Sequence, residues 1–233
     1  MKSLCIITAR GGSKRIPRKN IKNFLGKPII VYSIESAINS KIFNEVMVST
    51  DDEEIASVSR QYGASVPFMR SQKNSDDFST TSDVLIEVIE AYHRQGAKFD
   101  IACCIYPTAP FVTAAKLQEA FTVLIENKYD SLFPVVKFGF PILRSLKMEN
   151  SLIKPNWPEN YLKRSQDLPP AYHDAGQFYY FNVPSFLENK SMMMKKTGAI
   201  IVDENSVQDI DTEDDWKLAE LKYRLKHEHN HQV

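Results

Sequence analysis

The order of apolar segments predicts an α/β fold, a mostly parallel sheet covered by helices. Short apolar runs alternate with segments of helical period along the chain. The first run, Leu4-Cys5-Ile6-Ile7, empties directly into a loop with two adjacent glycines. In open α/β sheets, ligands bind beyond the carboxyl ends of strands at loops of this kind. The 233 residues suit one large domain spanning 1–233.

Strands are expected at 3–8, 45–50, 65–68, 100–106, 131–137, 177–182 and 199–202. Between them, Ile30, Ile34, Ala37 and Ile38 share one helical face, entered at Pro28. Val84, Val88 and Tyr92 mark a second helix that ends near Gly96. Leu117, Ala120, Phe121 and Leu124 mark another, with Thr113 at its N-cap. A last helix over about 213–226 is expected to turn Leu218, Leu221 and Leu225 inward, and Thr212 and Asp215 have capping-box spacing at its start. Residues 138–175 break this rhythm. They carry Pro141, Pro155, Pro158, Pro169 and Pro170, several aromatics and no sustained period, so a lid, binding loop or subunit contact is expected there. The tail at 227–233, with His227, His229 and His231, reads as solvated and frayed.

Composition excludes several classes of protein. Lys+Arg and Asp+Glu both number 29, so no bulk positive charge points to nucleic acid. No apolar run approaches the length of a membrane span, and the N-terminal run is too short for a signal peptide. Cys5, Cys103 and Cys104 fall in expected buried strands without CxxC spacing, so they read as reduced core thiols. A cytoplasmic protein is expected.

The loop Ala9-Arg10-Gly11-Gly12-Ser13-Lys14-Arg15-Ile16-Pro17-Arg18-Lys19-Asn20 carries the first chemistry. Gly11 and Gly12 are expected to take φ > 0 and to let the backbone approach a ligand. Arg10, Lys14, Arg15, Arg18 and Lys19 concentrate positive charge on the same turn. Backbone N–H groups and long cations together suit a polyphosphate, against the alternative of a solvated basic turn. No Gly-Lys-Ser/Thr follows, and the third glycine of GxGxxG is missing.

A second candidate is Gln208-Asp209-Ile210-Asp211. In an extended segment both carboxylates point to one side. Two hard oxygen ligands suit Mg²⁺, which binds through one or two carboxylates plus substrate phosphates. The alternative is that these acids only favour the start of the helix that follows. In Ser49-Thr50-Asp51-Asp52 the two aspartates read better as helix caps than as ligands. No Ser-His-Asp or Cys-His arrangement is apparent.

The glycine loop closely resembles the opening motif of the CMP-sugar synthetases, the cytidylyltransferases that activate nonulosonic acids. The usual form is roughly ARGGSKGIKNKN, and this chain departs from it at Arg15, Pro17 and Arg18 in the manner of the pseudaminic acid branch. Further matches recur in family order along nearly the whole chain. Arg70 and the run Asp77-Phe78-Ser79-Thr80-Thr81-Ser82 resemble the family's nucleotide loop. Tyr106-Pro107-Thr108-Ala109-Pro110-Phe111 resembles QPTSPLR, with Tyr106 in place of the glutamine. Arg164-Ser165-Gln166-Asp167-Leu168-Pro169, then Tyr172 and Asp174-Ala175-Gly176, resembles RRQDxPxxYxxNGA, with Asp174 where asparagine is usual. Asp209-Ile210-Asp211 matches the family's metal-binding DxD element.

The resemblance implies a Rossmann-like three-layer α/β/α nucleotidyltransferase fold, with 138–175 as a dimerisation excursion of a homodimer. It implies the reaction of CTP with a nonulosonic acid to give a CMP-sugar and pyrophosphate. Catalytic roles fall to Arg10, Lys19 and Asp211. Nucleotide contacts fall to Ala9, Arg10, Gly11, Gly12, Ser13, Lys14, Lys19, Asn20, Arg70, Ser79 and Thr80. Sugar contacts fall to Tyr106, Thr108, Arg164, Gln166 and Asp174, and Mg²⁺ falls to Asp209 and Asp211. Tyr106 argues against sialic acid and for the less hydroxylated pseudaminic acid, whose apolar surface an aromatic ring can cover. Sialic, legionaminic and 3-deoxy-octulosonic acids, or a non-catalytic nucleotide-binding subunit, are the alternatives.

Overall fold

A seven-stranded sheet forms the centre of the molecule, in a computed structural model that describes residues 1–76 and 78–228. Asp77, His229 and His231, named above, and the tail beyond residue 228 lie outside the described residues.

In chain order the elements begin with β1 (Ser3–Thr8), β2 (Asn23–Phe24), β3 (Lys27–Pro28), α1 (Ile29–Ser40), β4 (Glu45–Ser49) and α2 (Glu53–Gln61). There follow α3 (Thr81–Arg94), β5 (Ile101–Ile105), α4 (Ala114–Glu126), β6 (Ser131–Lys137), β7 (Leu146–Glu149) and β8 (Leu152–Pro155). The chain ends with β9 (Tyr172–Asp174), β10 (Phe178–Asn182), α5 (Val183–Asn189), β11 (Thr197–Ile201) and α6 (Glu213–Glu228).

The strand order is β11-β6-β10-β5-β1-β4, with β9 pairing β6. β1 pairs β4 and β5 in parallel, and β6 pairs β11 in parallel. β10 runs antiparallel between β5 and β6, and β9 is antiparallel to β6. Thus β1, β4, β5, β6 and β11 point one way, and β9 and β10 the other.

Alternation along the strands builds two apolar layers. Cys5 and Ile7 of β1 pack with Ile30, Ile34, Ile55 and Leu117 from α1, α2 and α4. Leu4 and Ile6 pack on the other face with Leu85, Val88 and Tyr92 of α3 and Phe186 of α5. All three cysteines are free and buried in these layers, and burial pushes the Cys104 thiol up to about 12.

A third cluster joins Ile16, Phe24, Ile29, Tyr32, Phe111, Ile210, Trp216 and Ala219. It seats α6 against the glycine-loop end of the molecule.

The expected helix caps appear. Thr113 accepts from Lys116 N–H, and Thr212 and Asp215 form reciprocal bonds at the start of α6. The face of α6 differs from expectation. Leu218, Leu221 and Leu225 are exposed, while Trp216 and Ala219 are buried and Tyr223 packs against them. The two apolar stripes are offset by two residues, about 200° around a helix. Only one can face the core, and the aromatic stripe meets Phe24 and Tyr32 edge-on.

Ile38 is likewise 40% exposed, at the last turn of α1. The segment 65–68 makes a single bridge, Met47 to Ser65, and no strand; Pro67 has no N–H with which to extend a ladder. The stretch 138–175 has more structure than expected. β7 and β8 form a hairpin whose side chains are mostly exposed, among them Leu146, Met148, Leu152 and Ile153, and β9 returns the chain to the main sheet.

Candidate active site

A cleft of about 670 Å³ opens at the carboxyl ends of β1 and β5. Thr8, Arg10, Ser13, Lys14, Arg15, Lys19 and Asn20 line it from the first loop. Arg70, Asn74, Asp76, Ser79, Thr81 and Val84 close a second side, and Tyr106, Pro107 and Thr108 a third.

The glycine loop is held from β4. Ala9 N–H donates to the Ser49 carbonyl at 2.9 Å, and Gly11 N–H donates to Asp51 Oδ1 at 2.9 Å. Asp52 caps α2 by accepting from Glu54 and Ile55 N–H, and it also receives the Arg18 guanidinium. Asp52 therefore is the cap that the sequence suggests, whereas Asp51 anchors the loop.

The expected positive φ at Gly11 and Gly12 is not found; among the described residues of this loop Arg18 takes the left-handed conformation, at φ 55°. Glycine is required at 11 for another reason. A Cβ there would lie 2.8 Å from Asp52 Oδ2 and 2.9 Å from Asp52 Cβ. At Gly12 a Cβ would meet open space.

The cations do not act as one group. Arg18 leaves the cleft for Asp52 and Glu54, and the Arg18 guanidinium holds the Asp52 carboxyl down at about 2. Arg10 Nη1 donates to the Asp76 carbonyl at 3.0 Å, tying the glycine loop to the 71–80 segment. Lys19 Nζ donates to the Ile210 carbonyl at 2.7 Å and lies 3.6 Å from Asp211 Oδ1. Arg15 Nη2 lies 2.8 Å from the same oxygen. Asn20, buried, donates through Nδ2 to the Arg10 carbonyl at 2.9 Å.

Arg70 is 8% exposed. Its Nε donates to Ser49 Oγ at 3.0 Å, and Nη2 reaches the Ser49 carbonyl. Burial lowers its pKa, and an arginine this basic keeps its charge regardless. Ser79 lines the cleft, and its hydroxyl and N–H hold the Asp76 carboxylate below its ordinary range. Thr80 does not line the cleft: it caps α3 in a reciprocal pair with Asp83.

Of the expected sugar contacts, Tyr106 and Thr108 line the cleft. Arg164 and Gln166 do not. Arg164 is exposed and forks onto Asp167 at 2.8 and 3.1 Å, and Gln166 is exposed in the adjoining turn. Asp174, exposed at the end of β9, does not line the cleft and accepts from Tyr179 Oη and Gly176 N–H. Thr81 of the motif run 77–82 lines the cleft, and so do Thr8, Asn74 and Val84, which no motif flagged; their signal is position, at segments that converge only in the fold.

Asp209 is exposed and Asp211 partly so. Among the described residues no group of three or more His, Cys, Asp or Glu is assembled to hold a metal. Neither Asp209 nor Asp211 lines the cleft; two carboxylates are the hard-oxygen donors that Mg²⁺ takes together with substrate phosphates. That fit requires Asp211 to exchange Arg15 for the ion.

The family model for cytidylyltransferases matches residues 4–227. A pseudaminic acid cytidylyltransferase from Campylobacter jejuni is 44% identical, covering 98% of this chain and 99% of that protein. A CMP-N,N'-diacetyllegionaminic acid synthase from Legionella pneumophila is 32% identical, covering 98% and 99%. Among solved structures, a CMP:2-keto-3-deoxy-manno-octonic acid synthetase complexed with CTP superposes with a TM-score of 0.68 at 17% identity, over 98% of this chain and all of that one. The fold, the cleft at its strand ends and the match over nearly the whole length agree: the chain belongs to the cytidylyltransferase family.

Proposed function

We propose that the protein transfers the cytidylyl group of CTP to pseudaminic acid, giving CMP-pseudaminic acid and pyrophosphate. The observation that carries this reading is the cationic glycine loop at a cleft walled by Tyr106, in a chain 44% identical to a pseudaminic acid cytidylyltransferase over almost its full length. The sugar's C2 hydroxyl attacks the α-phosphorus in line; the new O–P bond forms as the P–O bond to the β-phosphate breaks, pyrophosphate leaves with that electron pair, and the hydroxyl proton passes to solvent. Such a transfer depends on positioning and on neutralising charge on the phosphoryl oxygens.

The N–H groups of Ala9, Gly11 and Ser13 are donated to the Ser49 carbonyl, Asp51 and the Gly11 carbonyl and so shape the loop, which leaves the backbone of Gly12 and the loop's cations to meet the triphosphate. Arg10, Lys14 and Lys19 supply compensating charge. Arg70, pinned by Ser49, sits with Asn20 and Ser79 at the nucleoside side of the cleft. Tyr106 and Thr108 face the sugar. Asp209 and Asp211 would hold Mg²⁺, which would supply charge neutralisation at the phosphates and acidify the attacking hydroxyl.

Arg164 and Gln166 lie outside the cleft of their own chain, and the hairpin β7–β8 exposes Leu146, Met148, Leu152 and Ile153. An apolar patch of this kind marks an interaction surface. It supports 138–175 as the contact of a homodimer that carries these two residues toward a partner's cleft. Among the described residues no helix is long and apolar enough to cross a membrane, which agrees with action in the cytoplasm on soluble substrates.

The test is pyrophosphate release from CTP and Mg²⁺ with pseudaminic and N-acetylneuraminic acids offered separately. Release with pseudaminic acid alone is expected. Release with neither, with CTP still bound, overturns the sugar assignment or the catalysis. Release with N-acetylneuraminic acid alone moves the chain to the sialic acid reaction.

A further inference from the structure

Asp174 was expected at the sugar, but both of its oxygens are engaged within the protein. Oδ1 accepts from Gly176 N–H at 2.8 Å, a local turn made possible by the positive φ of Gly176, 63°. Oδ2 accepts from Tyr179 Oη, also at 2.8 Å. Tyr179 is 6% exposed, and its ring is wedged between Phe133 and Tyr106, with centroids 5.5 and 5.3 Å away. Tyr106 in turn lines the cleft, which Tyr179 and Asp174 do not.

The chemistry of the pair gives it a direction. A carboxylate only accepts hydrogen bonds, so the Tyr179 proton is committed to Asp174. Tyr179 is thereby fixed at its hydroxyl, and its ring is the surface against which Tyr106 packs, centroids 5.3 Å apart. Asp174 also terminates β9, the strand that brings the 138–175 excursion back to β6. One hydrogen bond thus ties the end of the excursion to the wall of the cleft.

We infer that Asp174 and Tyr179 are positioning residues for the sugar, acting through Tyr106 without touching the substrate. This rests on the sugar-facing role of Tyr106 proposed above. A bond of this type, to an ionised acceptor, is strong and geometrically demanding, and an error of a fraction of an ångström in a binding wall is felt by the ligand.

The experiment measures initial rates against pseudaminic acid and against CTP, separately, for Tyr106→Ala, Tyr179→Phe, Asp174→Ala and Asp174→Asn, with a melting curve for each. Tyr179→Phe keeps the ring and its packing, and removes only the hydroxyl. It and Asp174→Ala are expected to raise the sugar KM about 5-fold or more, the scale of one lost hydrogen bond, with the CTP KM unchanged. Asp174→Asn, which keeps one acceptor oxygen where the carboxylate used two, is expected to fall between the wild type and Asp174→Ala. If Tyr106→Ala raises the sugar KM but Tyr179→Phe leaves it at the wild-type value, the positioning role is overturned and the sugar wall stands. If Tyr106→Ala itself leaves the sugar KM unchanged, the sugar-site reading fails and this inference with it. A rise in both KM values together, with a lower melting temperature, assigns the pair a structural role and also overturns the inference.

Discussion

Arg15 Nη2 lies 2.8 Å from Asp211 Oδ1, across 196 residues of chain. Their neighbours explain the meeting: Ile16 and Ile210 are both buried in the cluster beneath α6. Each apolar anchor fixes its charged neighbour: Arg15 lines the cleft, and Asp211 stands beside it. The ion pair is open to solvent, at 67% and 38% side-chain exposure, so it is worth at most about 1 kcal/mol. A pair that weak parts readily when a polyphosphate competes for the guanidinium.

Arg15→Ala is therefore expected to weaken CTP binding about 3- to 10-fold at low salt through a lost charge-assisted contact. Screening should shrink the difference as salt rises. Calorimetric titration at two ionic strengths checks this, and wild-type affinity at low salt removes Arg15 from the phosphate site.

Asp211→Asn takes away one charged oxygen of the candidate metal pair. The Mg²⁺ concentration giving half-maximal turnover should rise at least several-fold. An unchanged metal titration takes Asp211 out of that role.

Arg10→Ala should cut turnover by orders of magnitude while leaving the melting temperature near that of the wild type, because Arg10 lies at the cleft and bonds the carbonyl of the exposed Asp76. Near-normal turnover ends its assignment.

The two glycines separate into different failures. At Gly11 an alanine Cβ meets Asp52 atoms that the α2 cap and Arg18 hold in place. Gly11→Ala should therefore cost about 1–3 kcal/mol of stability. Gly12→Ala has open space and should fold as well as the wild type while binding CTP less tightly, since the methyl stands where the triphosphate approaches. Denaturant midpoints and CTP affinities measured on both variants distinguish the two; equal midpoints refute the steric account of Gly11.

The Asp52 carboxyl is depressed from 3.8 to about 2 by Arg18, with its cap hydrogen bonds adding to the effect. A depressed acid stabilises the fold at pH values above its unfolded pKa, and the contribution disappears as pH falls through the folded one. Wild-type stability should thus decline as pH falls from about 4 to about 2. Asp52→Asn should be less stable at neutral pH and should lose less across that window. Melting curves from neutral pH downward check it, and parallel pH profiles contradict the assignment.

The sequence alone determined the sheet and its loop chemistry. Apolar runs read directly as β1, β4, β5, β6 and β10, because buried strands of an α/β sheet are hydrophobic on both faces. The Gly-Gly loop with its cations, the Thr113 and Thr212 caps and the Asp209–Asp211 pair were legible as local patterns. Tertiary structure decided which of those residues meet. Two equally apolar stripes on α6 competed for one core, and only the aromatic cluster around Phe24 selected Trp216 over Leu218. Arg18 and Arg15, three residues apart, part toward Asp52 and Asp211 because their partners come from β4's end and the segment before α6. Asp51 and Asp52, adjacent in sequence, divide between loop anchor and helix cap. Asp174, which reads as a ligand contact in its motif, is turned to Tyr179 by the return of β9 to β6. A motif specifies which groups are available, whereas the partner of each charge depends on long-range packing that no local pattern encodes.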